Sequence, residues 1–113
     1  MDRITYTAES FLTGSDIAHA LLDYAQALAE TGSAATVEIP TLQDDGTVSR
    51  AEVLVGPSSQ LMATRVSGNF DEIVDHTLVE YLTKEADRLR RQGPAWPAAE
   101  ATPVRSQWDD FDL

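Results

Sequence analysis

The chain has no cysteine, which removes disulfide frameworks, thiolate nucleophiles and cysteine metal sites together. The redox compartment stays open, because a cysteine-free chain folds in either. Histidine is scarce too, with only His19 and His76. No Gly-x-Ser-x-Gly elbow, Gly-x-Gly-x-x-Gly fingerprint or Walker loop occurs, so nucleophile-elbow catalysis and phosphate cradling have no sequence basis. No apolar run approaches the roughly 18 residues of a membrane span, and Met1-Asp2-Arg3-Ile4 lacks the basic segment and apolar stretch of a secretory leader. A soluble, cytoplasmic protein with no membrane attachment is expected. Positive charge is also short: eight Lys and Arg stand against nineteen Asp and Glu, for a net charge of −11. Such a surface repels phosphate backbones and anionic headgroups, so direct nucleic-acid binding is not expected and basic or neutral partners are favoured.

What the chain does have is periodicity. Its 113 residues fit one domain. Ile4, Tyr6 and Ala8 alternate with Thr5, Thr7 and Glu9, the period-two pattern of a single strand over residues 4–10. Thr13 then reads as the N-cap of a first helix, with Asp16 near its start and Leu12 placed to staple onto Ile17. Ile17, Ala20, Leu21, Tyr24, Ala25 and Leu28 form its apolar stripe, and Gly32 is its left-handed C-cap. Residues 35–42 read as a strand in which Pro40 indicates an edge or a bulge. Asp44-Asp45-Gly46 turns the chain into a second strand over 48–55, and residues 61–66 return as the third strand of a meander.

The spacing predicts a second helix over 69–91, with Phe70, Ile73, Val74, Thr77, Leu78, Tyr81, Leu82 and Leu89 on one buried face. Asn69 and Glu72 have the spacing of a capping box, and Lys84, Arg88, Arg90 and Arg91 suit the carboxyl end of the helix dipole. The expected fold is therefore α+β: two helices on one face of a mainly antiparallel three- to four-stranded sheet, in the order β-α-β-β-β-α, with an extended C-terminal tail. Residues 1–92 form the domain. Residues 93–113 read as a Pro/Ala-containing linker and an acidic-aromatic tail, because apolar periodicity stops there.

Candidate chemistry is thin. Glu72, His76 and Glu80 recur at four-residue steps, so on one continuous helix two carboxylates and an imidazole share a side, a geometry open to a metal. Exposed charges pairing with a histidine explain the same spacing, and no second histidine lies near. No metal or other cofactor is assigned, and no catalytic residue. Asp44-Asp45 and Asp71-Glu72 are explained by turn initiation and by charge at a helix start. The tail differs from a purely solvating segment: Trp108-Asp109-Asp110-Phe111-Asp112-Leu113 interleaves large apolar side chains with carboxylates. Lys84, Arg88 and Arg91, on one side of the second helix, are candidate cations for those carboxylates. The first expectation is thus a non-catalytic protein-interaction or regulatory module that self-associates, as a homodimer, through a sheet edge or an uncovered sheet face, with the tail as docking arm. A small metal-dependent enzyme using Glu72, His76 and Glu80 is one alternative. An acidic mimic occupying a nucleic-acid-binding surface of another protein is the other.

Overall fold

A computed structural model of the protein describes residues 1–58 and 60–92. Its elements are β1 (Asp2–Tyr6), β2 (Glu9–Thr13), α1 (Ser15–Glu30), β3 (Ala35–Leu42), β4 (Val48–Val55), β5 (Leu61–Arg65) and α2 (His76–Gln92). All strand pairings are antiparallel, and the five-stranded sheet has the order β4-β3-β2-β1-β5. Two helices packed on an antiparallel sheet give the α+β class expected. The strand count and order differ from expectation.

The extra strand arises at Thr7. The alternation through Ile4, Tyr6 and Ala8 reads as one strand, but the chain reverses between the paired residues Tyr6 and Glu9. Thr7 takes the left-handed φ of 56° that the reversal needs, and its hydroxyl donates to the Tyr6 carbonyl at 2.6 Å. Two-residue hairpin loops favour Asn-Gly or Gly-containing pairs, so Thr7-Ala8 carries no turn signal in its composition. A residue with a Cβ held in that region costs about 1–2 kcal/mol.

Thr13 is the end of β2 and not the cap of α1. It is fully buried, and its hydroxyl donates to the Pro40 carbonyl at 2.7 Å. Pro40 therefore presents its main-chain groups toward β2, away from β4. That side of β3 is nearly open, since β2 and β3 share only the Leu12–Leu42 pairing. A proline without an N–H is accommodated there although β3 is interior in strand order. The β3–β4 hairpin follows expectation. Its turn is closed by Gly46 N–H donating to Gln43 O at 3.0 Å, with Gly46 at φ 87°. Asp45 accepts from both the N–H and the hydroxyl of Thr47, at 3.0 and 2.6 Å, which holds its carboxyl below the usual carboxylate range.

β5 is not the third strand of a meander beside β4. It crosses to the far edge and pairs with β1 in the register Asp2–Arg65 to Tyr6–Leu61. The core is formed by Ile17, Leu21, Tyr24 and Leu28 of α1, Val37 and Ile39 of β3, Val53 and Val55 of β4, and Leu82, Ala86 and Leu89 of α2. Gly32, at φ 66°, ends α1 as expected, with Ser33 N–H donating to Leu28 O at 2.9 Å.

The second helix is shorter than its periodicity implies. It begins at His76, and residues 69–75 run as non-helical chain. Asp75 supplies the cap, accepting from the Leu78 N–H at 3.0 Å. Of the expected stripe only Leu82 and Leu89 are buried, Ile73 and Leu78 are half-buried, and Phe70, Val74 and Tyr81 are exposed.

Candidate functional site

The 69–75 segment is a strap across the start of α1. It passes so close to Gly14 that a Cβ there would lie 1.8 Å from the Ile73 carbonyl oxygen, so only glycine fits under it. Gly14 offers no side-chain cap. Glu72 takes that role from the strap: its Oε2 accepts the Ser15 N–H at 2.6 Å, and its Oε1 accepts from the Met1 ammonium at 2.8 Å. These two bonds, the ammonium first and the amide second, hold the Glu72 carboxyl below the usual carboxylate range. The capping box expected between Asn69 and Glu72 for the second helix is thus replaced by a cap that Glu72 makes on the first.

Beside it lies Asp2, only 3% exposed. Its Oδ1 accepts from the Ser15 hydroxyl at 2.6 Å and lies 3.6 Å from Arg65 Nε, while its Oδ2 lies 3.5 Å from His19 Nε2. The order is serine, carboxylate, histidine. In an acyl-transfer triad the imidazole stands between the other two and takes the serine proton; here Ser15 donates to the carboxylate. The cluster satisfies a buried charge and joins β1, α1 and β5.

Glu72, His76 and Glu80 do not share one continuous helix. Glu72 lies four residues before the helix that carries His76 and Glu80, and its carboxylate is turned to Ser15 and Met1. Among the described residues, no group of three His, Cys, Asp or Glu side chains is arranged to hold a metal ion.

The cations singled out on α2 are largely engaged by neighbours on the same helix. Arg88 donates to Glu85 Oε1 at 2.7 and 3.1 Å, and Lys84 lies 3.9 Å from Glu80. Arg91 is exposed and has no ion-pair partner among the described residues. Arg90, read from sequence only as a complement to the helix dipole, is the cation with a tertiary role: it meets Asp23 Oδ1 at 2.9 Å and Glu30 Oε1 at 3.2 Å, clamping α2 to α1. The expected tail residues Trp108, Asp109, Asp110, Phe111, Asp112 and Leu113 lie outside the described residues.

Surface grooves also lie among the described residues. One, about 710 Å³, is bordered by Leu12, Leu42, Val48 and Phe70 and carries Arg3, Asp44 and Asp71. The other, about 680 Å³, lies where the end of β4 approaches β1 and β5, tied by the Tyr6 hydroxyl donating to Leu54 O at 2.6 Å. Its lining is Thr5, Tyr6, Thr7, Leu54, Ser58, Gln60, Leu61 and Met62, without one acidic or basic side chain. Leu54 and Met62 are 57% and 58% exposed. No composition signal in the sequence marks this groove, since it depends on β5 lying beside β1. Among the described residues no helix is long and apolar enough to cross a membrane.

No protein-family model, no curated protein and no solved structure matches the chain.

Proposed function

We propose that this chain is a non-catalytic protein-interaction module that self-associates and uses its acidic-aromatic C-terminal segment as a docking arm. The observation that carries the reading is the uncharged groove bearing Leu54 and Met62 on a chain of net charge −11. A charged surface keeps such a molecule soluble and separate from its copies, and an uncharged region within it is where contact costs least. The sequence of the last six residues supports the arm: burying Trp108 and Phe111 contributes about 1.5–3 kcal/mol each, while Asp109, Asp110 and Asp112 remain at a polar rim. Two measurements test the two halves. Sedimentation of the full chain reports self-association. In a Trp96→Phe background, Trp108 emission is expected to be blue-shifted in the purified protein or on adding its partner, and Trp108→Ala with Phe111→Ala should release the segment to protease. Water-exposed Trp108 under both conditions contradicts the docking arm.

A further inference from the structure

Two helix starts compete for Glu72. In the sequence it stands three residues after Asn69, the spacing at which a glutamate closes a capping box on the helix that follows. In the structure it caps α1 instead, accepting from the Ser15 N–H at 2.6 Å and from the Met1 ammonium at 2.8 Å. One carboxylate cannot serve both places. From Asn69 to Gln92 the chain contains neither glycine nor proline, so no helix breaker marks the boundary at His76. That boundary is held by the Asp75 side chain on the Leu78 N–H at 3.0 Å and by the strap's own hold on Gly14 and Ser15. The hold is incomplete. Ile73 is packed against the core, but Phe70 and Val74 are 36% and 59% exposed, so the strap leaves two of its three large apolar side chains largely outside.

We propose that residues 69–75 are a two-state element: the strap, latched onto α1 by Glu72, and a backward extension of α2 over residues 70–75, capped by Asn69 with Glu72 in its capping box. Each state satisfies Glu72 and leaves a different helix short. In the strap state α1 is capped from across the chain and α2 begins late. In the extended state α2 gains its own cap, and the Ser15 N–H and the Met1 ammonium lose theirs. Residues 66–69 then make the whole link from β5, an ordinary length for such a connection. Phe70, Val74, Thr77 and Tyr81 fall at i, i+4, i+7 and i+11, one side of the longer helix, where Tyr81 is already 54% exposed. The device therefore lines up an apolar stripe on α2 in the same step that uncaps α1. It depends neither on self-association nor on the C-terminal arm.

Three substitutions separate a switch from a fixed cap. Glu72→Gln keeps a side chain that a capping box accepts but loses the charge that holds the Met1 ammonium, whereas Glu72→Ala loses both roles. Gly14→Ala sets a Cβ against the Ile73 carbonyl and so acts on the strap state alone. In the wild-type chain the extended helix is the minor state, at about 0.1–10%, read as microsecond-to-millisecond exchange at residues 70–75 in NMR relaxation dispersion. Glu72→Gln is expected to raise that population about tenfold, because bonds to a charged group become neutral ones, and the Cα chemical shifts of residues 70–75 move toward helical values. Gly14→Ala should move them the same way. Glu72→Ala should expose the Ser15 amide to exchange with a smaller helical shift than the glutamine variant. If Gly14→Ala does not fold, Glu72→Gln, at a side chain 42% exposed, carries the test. Coil-like shifts at residues 70–75 in Glu72→Gln, or equal shifts in the glutamine and alanine variants, overturn the switch and leave the strap a fixed cap.

Discussion

The two helices begin in opposite ways. α2 starts on its own neighbour, Asp75, whose carboxylate reaches the Leu78 N–H three residues on. α1 starts on Glu72, whose carboxylate reaches the Ser15 N–H across 57 positions of sequence. Both bonds satisfy a donor that the helix cannot satisfy itself. The difference lies in what each cap requires. A local cap forms with its helix, whereas the cap of α1 exists only after the strap has crossed Gly14, so the start of one helix is made conditional on the approach to the other. Arg90, bonded to Asp23 and Glu30, repeats this coupling at the far ends of the helices.

Both helices depend most on the core that they share. Leu82→Ala removes a fully buried side chain and should lower stability by about 2–5 kcal/mol, whereas Leu78→Ala, at a half-buried site, should cost less. Denaturant unfolding of the two variants measures the gap, and equal losses would restore the longer buried stripe. Next comes the strap. Gly14→Ala places a Cβ against the Ile73 carbonyl and should cost about 1–3 kcal/mol by displacing residues 69–75. An unchanged melting temperature would mean that the strap does not lie over the helix start.

The local cap gives a smaller change. Asp75→Ala should cost about 1 kcal/mol and fray only the first turn of α2, visible as faster amide exchange at Leu78 without change at Ser15. A change of opposite sign is expected at Thr7, where glycine relieves the left-handed backbone; Thr7→Gly should raise stability by up to about 1 kcal/mol. Ending the chain at Gln92 should leave the melting transition where it is, because the described residues already assemble one core from both helices and the sheet.

These contrasts also explain what was legible in the sequence. The stripe of α1, Gly32 and the Asp44-Asp45-Gly46 hairpin are determined by residues a few positions apart, and each appears where its pattern predicts. Phe70, Ile73 and Val74 continue the helical spacing of α2 backwards, which is why the strap reads as helix. Asp75, a good N-cap residue immediately before His76, was the one local sign that the helix starts later. The neighbour of β5 and the partner of Glu72 are set by contacts tens of residues away and leave no periodicity. The same holds for the candidate surface. Lys84 and Arg88 stand out as charges but are occupied by Glu80 and Glu85, whereas the uncharged groove draws its residues from three strands and is visible only once they are assembled.

Glu72 sets the start of α1 from outside it, and the Ser15 amide proton reports on that bond directly. Because the folded-state pKa of Glu72 is lowered, the stability it contributes is present above the ordinary carboxylate range and is lost as pH falls through the lowered value. In a heteronuclear NMR titration, the Ser15 amide should shift with a midpoint below the ordinary glutamate value, and Glu72→Ala should abolish both that shift and the protection of Ser15 from exchange while leaving Leu78 protected. A Ser15 amide that neither titrates in the acid range nor changes in Glu72→Ala would contradict the account.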